Sequence, residues 1–461
     1  MIIINTAQDF YEEIKWVSHV VFDEFLGLDY RVEISKKREY FDIFVEKKCI
    51  STRNIFLLNS KTNWLADNSV FLQETKFIQL KKHFNQDFFN ESLPIIFGES
   101  KIDKNDERIS IDFDILGTIF FMLSGYEDAV KVNEDEHNRL PFKESFLSEF
   151  NLIDRPIVDE YVELLWILLS KFDNNLKKKC IPSKLLVSCD VDNPYSSYIN
   201  SFQSTFKKII GDIIKRKSIF QAANTLLNYL MSKLKIYTFD PLDKINWMMD
   251  LNEKVGNTMC FYFIFKKSDK TMDGHYSINE ERIRSLIKNI INRGHEVGTH
   301  LSYKSYLDFT QISSEIEKLR EVFHEEKISQ PRIGNRQHYL KFSSLETFRL
   351  LDDAGVAYDS SVAFAEHIGF RVGTSRAYSM YDLRNRKKLN IIQKPLLVME
   401  DSLFSESYMG LNNKIEIIEK ISLLKKATDY FGGNFTLLWH NSSLNTSSSR
   451  NLYESILRLF Q

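Results

Sequence analysis

The chain of 461 residues is long enough for two or three domains. Its 43% hydrophobic and 27% charged residues make an ordinary globular balance, and a formal net charge of -2 gives no overall attraction to nucleic acid. Cys49, Cys180, Cys189 and Cys260 are scattered without metal-ligand spacing, which fits buried thiols in a reducing compartment better than a disulfide framework. The opening MIIINTAQDFYEEIKW carries neither a basic leader region nor a small-residue cleavage site. No run reaches the roughly 18 apolar residues of a spanning helix. The expected location is the cytoplasm.

Residues 1–180 read as one smaller α+β domain. Short strands are expected at Tyr30–Ile34, Tyr40–Val45 and Asn54–Leu58, where apolar residues partly alternate. Asp114–Leu123 reads as a buried helix with Asp114 as its cap, and Val158–Lys171 as another after Pro156. No nucleophile–base pair or phosphate loop stands out in this region.

After Lys177-Lys178-Lys179 the pattern changes. KLLVSCDVD is a buried strand ending in acids. Strand-like runs then alternate with helical ones: Thr258–Phe265, helix Asn279–Asn292, Glu296–Thr299, helix Ser313–His324 and Arg332–Gly334. Helix Ser344–Ala354 and strand Val356–Tyr358 follow. Pro395–Met399, helix Lys414–Tyr430, Thr436–Trp439 and a closing helix near Leu452–Phe460 complete the series. Such alternation implies a parallel sheet with helices outside, and this many repeats suggest a barrel spanning 181–461. Chemistry in such folds gathers at the carboxyl ends of strands.

One insertion, at about 201–237, breaks the alternation. Two amphipathic helices, Phe202–Arg216 and Ile219–Lys235, carry Lys207, Lys208, Lys215, Arg216, Lys217, Lys233 and Lys235 against the single acid Asp212. Residues 202–235 read either as a solvated helical face or as peripheral contact with an anionic membrane.

Asp190 and Asp192 stand two apart at a strand end, so both carboxylates face one locus. Paired carboxylates repel unless a cation, proton or arginine relieves them. One could bind metal while the other serves as base; a loop acid beside a helix cap is the plainer alternative. His300 falls at the carboxyl edge of the next short strand, a position suited to a ligand, although a lone histidine is more often a structural or solvated group. Aspartate and histidine on neighbouring strands suit an open, zinc-like hydrolytic site. Arg336 follows another strand and could steady Asp190, or lie on the surface. Asp359 follows VAYDSS, and His440 closes the buried run FTLLWH, as a general acid or as a core histidine.

SCDVDNP, GHEVGTHLSYKSY, GNRQHYL, AYDSSV and LLWHNSS, in this order on successive strands, resemble the five motifs of NodB-type polysaccharide deacetylases, carbohydrate esterase family 4. DILGTIFFMLSGYED and RPIVDEYVELLW resemble a bacterial subgroup with an extra N-terminal domain. The resemblance implies α/β architecture: a distorted (β/α) barrel after a smaller α+β domain. It implies that Asp192 and His300 bind a divalent metal, zinc in the first instance. Asp190, steadied by Arg336, would then be the base and a backbone N–H near Tyr339 would hold the oxyanion. His440, oriented by Asp359, would protonate the leaving amine of an N-acetylated carbohydrate.

The chain departs from that pattern at one position. The family usually places a second metal histidine four residues after the first, and here that residue is Lys304. Three arrangements follow: a two-residue site completed by water, a replacement ligand such as His338 or His295, or a metal-free pocket in which Lys304 neutralises Asp192. The leading expectation is an N-deacetylase acting on a sugar or lipid-linked sugar. Its rivals are a metal-free glycan-binding or scaffolding barrel and a hydrolase of small non-sugar amides.

Overall fold

The protein, seen in a computed structural model that describes residues 1–66, 75–84, 87–131 and 133–461, is mixed α/β. Its described residues cluster into two compact units, 1–184 with 339–436 and 185–338 with 437–461. The sequence reading draws one boundary near 180, whereas residues 339–436 cluster with the N-terminal part. Long-range polar ties explain the difference. Trp16 Nε1 donates to the Ser379 carbonyl at 2.9 Å, Tyr378 OH to the Leu123 carbonyl at 3.0 Å, and Arg386 Nε to Glu13 at 2.7 Å. None of these pairings leaves a periodic trace in sequence.

The first unit holds a six-stranded sheet in the order Tyr30–Ile34, Ile2–Thr6, Tyr40–Val45, Lys48–Arg53, Arg108–Phe113 and Gly98–Lys104. The expected strand Asn54–Leu58 is instead the helix Phe56–Ser60. A short apolar run such as NIFLL fits either state by pattern alone. Asp114 decides it: Oδ2 accepts from Ile55 N at 2.8 Å and Phe56 N at 2.9 Å, satisfying donors at the helix start. Its Oδ1 accepts from Gly117 N at 2.7 Å and caps the buried helix Ile115–Leu123.

The second unit carries four parallel strands side by side in chain order: Lys184–Val191, Met259–Phe263, Glu296–Leu301 and Gly334–Gln337. Glu281–Asn292 buries Ile283, Leu286, Ile287 and Ile290 at spacings of three and four, the stripe of a helix covering a sheet. Phe309–Glu325 starts four residues before the expected Ser313, because Asp308 accepts from Gln311 N at 3.0 Å and fixes the first turn. Register then aligns the strand ends: Asp190 lies opposite Tyr262, Phe263 opposite Thr299, and His300 opposite Arg336. Gly298 keeps this packing close, since a Cβ there would come within 2.6 Å of both the Gly334 carbonyl and the Tyr262 ring. Among the described residues no helix is long and apolar enough to cross a membrane.

Glu127, buried in the first unit, has its carboxyl pushed up from 4.5 to about 8. Burial dominates, and a hydrogen bond from Phe146 N at 2.8 Å offsets only part of it. A raised carboxyl pKa favours the folded state fully below the unfolded value, and that advantage fades as pH rises through the folded value. Between about pH 4.5 and 7.5 the wild type is therefore expected to lose about 3 kcal/mol relative to Glu127→Gln. Denaturant midpoints of the two proteins across that range check this; parallel profiles would remove Glu127 as the cause.

Candidate metal centre

Asp190 and Asp192 end the first parallel strand of the second unit. Asp190 is buried, and Asp192, just past the strand, is about a third exposed at 36%. His300 Nε2 stands 3.3 Å from Asp192 Oδ1 and 3.9 Å from Asp190 Oδ2. His338 Nε2 stands 3.5 Å from the same Asp192 Oδ1, and the two imidazole rings lie 4.6 Å apart between centroids. His440 Nε2 lies 3.9 Å from the other Asp192 oxygen. It is placed there because Trp439 N donates to the Ser188 carbonyl at 3.0 Å, aligning its segment with the strand that bears both acids.

Each of the two rings is held by its second nitrogen. His300 Nδ1 lies 2.9 Å from the Arg336 carbonyl, an acceptor, so Nδ1 carries a proton and Nε2 is the nitrogen that faces the carboxylates. His338 Nδ1 lies 3.1 Å from Asp273 Oδ1, which fixes its tautomer in the same sense. Asp273 is itself buried and fastened by backbone donors: Tyr303 N on Oδ1, and Ser268 N and Asp269 N on Oδ2, each at 2.8 Å. Burial raises its carboxyl, but His338 and these donors outweigh burial and keep it below its ordinary value.

The electrostatics express a demand for positive charge. Burial would raise the Asp192 carboxyl, yet His300 and the nearby His338 and His440 rings reverse the sign and hold it well below the usual carboxylate range. Burial would lower His300, but Asp190 and Asp192 raise it above its ordinary value. Asp190 Oδ1 and Asp192 Oδ1 are buried and accept no well-formed hydrogen bond from the described residues. Four atoms bound tetrahedrally to zinc at ordinary lengths lie about 3.3 Å apart. The separations around Asp192 Oδ1 match that value, and its ligand atom clusters with those of His300 and His338 within 4.8 Å. Two imidazoles and a carboxylate with open positions suit a hydrolytic zinc ion. These residues fit the group.

The other expected residues are distributed as follows. Lys304 points outward, 62% exposed, with Nζ 2.9 Å from Asp269. It does not neutralise Asp192. His295, an expected alternative ligand, precedes the Glu296–Leu301 strand, whereas His300 lies near its far end. Its Nδ1 accepts from Met259 N at 3.0 Å and its Nε2 meets Glu253 at 3.1 Å, which makes it a structural group. Arg336 is buried, donates Nη2 to Ser188 Oγ at 3.2 Å and lies 5.3 Å from the Tyr262 ring centroid. Ser188 shares the Asp190 face of its strand, two residues earlier. Asp359 and Tyr339 belong to the first unit. The Asp359 carboxylate accepts from Ser361 N at 2.7 Å and Ser361 Oγ at 2.8 Å. Tyr339 adopts a left-handed backbone, φ 62°, and its carbonyl accepts from Arg139 Nη1 at 2.7 Å.

Sequence reasoning missed Asp273. Its only local mark is the following Gly274, where any Cβ would collide with the Asp192 carbonyl oxygen. A glycine in that position signals a close backbone approach, but the sequence does not say to what.

Residues 2–174 match a family of unknown function, DUF7033. No curated protein matches the chain. Among solved structures, a protein named as a polysaccharide deacetylase from Mycobacterium smegmatis is 14% identical at a TM-score of 0.38, covering 61% of this chain and 88% of that one. Puue allantoinase is 14% identical at 0.32, and a protein named as a polysaccharide deacetylase from Pseudomonas aeruginosa PAO1 is 16% identical at 0.31; each match covers 46% of this chain and 64% of the other. The chain thus spans just under two thirds of the length of these last two.

Zinc titration checks the ligand set. His338→Ala is expected to abolish binding, and Asp273→Asn to weaken it about 10- to 100-fold. Lys304→Ala should leave affinity unchanged. Undiminished binding by His338→Ala would exclude that ring as a ligand.

Proposed function

We propose that the protein is a metal-dependent hydrolase that removes an N-acetyl group from a carbohydrate, on a distorted barrel of NodB type. The observation that carries this reading is Asp192 set between His300 and His338 at 3.3 and 3.5 Å, with a second buried carboxylate, Asp190, 3.9 Å from His300. Asp192, His300 and His338 would hold the cation. When bound, such an ion supplies Lewis-acid polarisation of a carbonyl and acidification of water.

The chain's own groups supply the proton transfers. Asp190 is buried beside His300, its Oδ1 accepts no hydrogen bond from the described residues, and it would take the proton of the attacking water. Arg336, bonded to Ser188 two residues before Asp190, is the group that the family resemblance assigns to steady this base. As the water oxygen bonds to the acyl carbon, its proton passes to Asp190. The C–N bond then breaks, and the departing nitrogen takes a proton from His440, across Asp192 from the two ligand rings. Acetate and a free amino sugar result. The five ordered motifs that resemble the deacetylase family support carbohydrate as the substrate class.

Acetate release from a panel of N-acetyl sugars, with zinc added, tests the reading. Asp190→Asn is expected to lower turnover about 100- to 10,000-fold while zinc affinity persists. Asp192→Ala should lose both. Wild-type turnover in Asp190→Asn would refute the base assignment, and zinc-loaded protein inert toward every sugar would refute the deacetylase reading.

A further inference from the structure

The helices Phe202–Ile214 and Ile219–Lys233 form a hairpin whose polarity is inverted. Their buried residues are mostly polar: Thr205 and Asp212 on the first, Thr225 and Asn228 on the second. Thr225 Oγ1 donates to Asp212 Oδ2 at 2.7 Å, Lys208 Nζ to Asp212 Oδ1 at 2.9 Å, and Asn228 Nδ2 to Tyr198 OH at 2.7 Å. The apolar side chains face outward. Phe202, Phe206, Ile210 and Ile213 form an exposed stripe at helical spacing on the first helix. Ile219, Leu226 and Leu230 are exposed on the second, and Ile219 and Phe220 are 79% and 76% exposed. Water-exposed helices ordinarily show the reverse arrangement.

We propose that residues 202–239 are a docking surface for an anionic lipid bilayer. Charge selects this occupant. The segment carries seven basic residues against one acid, and that acid, Asp212, is already bonded to Lys208 and Arg216. Lys207, Lys215, Lys217 and Lys233 are exposed beside the apolar stripes. Outward aromatic and aliphatic side chains flanked by lysines make an interfacial element that inserts apolar groups and meets headgroup phosphates with cations. A second copy fits poorly, because a two-fold pairing of this face would set its basic rim against an identical one. The surface is independent of the hydrolytic reading, and its test requires no turnover.

The full-length protein is sedimented with vesicles of phosphatidylcholine alone and of phosphatidylcholine with phosphatidylglycerol. Binding to the anionic vesicles is expected to exceed binding to the neutral ones by roughly tenfold at low salt and to weaken as salt rises. Phe206→Glu with Leu230→Glu should reduce it by roughly tenfold or more. Lys215→Glu with Lys217→Glu should remove most of the preference for the anionic lipid. All four positions are exposed, and circular dichroism checks that the fold is kept. No binding to anionic vesicles at low salt overturns the proposal. So does wild-type binding by the Phe206/Leu230 variant, or self-association in sedimentation velocity that the same variant abolishes, which would make the face a dimer interface.

Discussion

His300 and His338 can address one point only because the second nitrogen of each ring is already committed. The Arg336 carbonyl accepts from one Nδ1 and Asp273 from the other, so both Nε2 atoms turn toward Asp192. Neither ring can rotate or change tautomer without breaking a buried hydrogen bond. Asp273 is fixed in turn by three backbone N–H groups and by the Gly274 backbone packed on the Asp192 carbonyl. Tyr276 OH donates to the Val191 carbonyl at 3.1 Å and accepts from Ile264 N at 2.7 Å, sewing the same loop to two strand ends. The loop holding His338 is therefore anchored beside the carboxylate that His338 faces.

Much of this was legible from period and position. The i, i+2 acids at a strand end and the histidine at the next strand's carboxyl edge follow from the strand repeat of two, and register does place their ends together. The sequence offers His338 only as one alternative, because its fitness depends on Asp273. That acid sits 65 positions earlier, in a loop without periodicity. His295 stands only as a possible replacement ligand five residues before His300, and the length of one strand separates the two, a distance that sequence nearness conceals. Asn54–Leu58 failed for a related reason: a contact with Asp114, some sixty residues away, decided between two states that the local pattern left equal.

Lys304 clarifies how the site differs from its resemblance. An ammonium beside Asp192 would compete with a divalent cation. The side chain instead leaves the cluster for Asp269, whose Oδ1 also accepts from Thr271 N at 2.9 Å and Met272 N at 3.1 Å. Lys304 N donates to Ser268 Oγ at 2.8 Å. The residue standing where a ligand is expected thus braces the turn that supplies Asp273. An exposed ion pair contributes little energy, so this bracing is a matter of geometry, and Asp273 is held chiefly by its buried donors.

The inverted hairpin and the metal cluster share a base. Asn441, next to His440, donates to the Asn193 carbonyl at 3.1 Å and the Leu242 carbonyl at 2.8 Å, tying the residue after Asp192 to the chain leaving the hairpin. Ser196 N and Oγ both bond the Asp240 carboxylate, closing the hairpin's two ends on each other. The Arg282 guanidinium lies over the Tyr195 and Tyr237 rings at 5.1 and 5.5 Å and clamps the same junction. A surface that docks through the hairpin is therefore tied to the chain beside Asp192 and His440, so bilayer binding would bring that cluster toward the headgroups. For a deacetylase so placed, a glycan carried on a lipid would meet the cluster at higher local concentration than one free in solution.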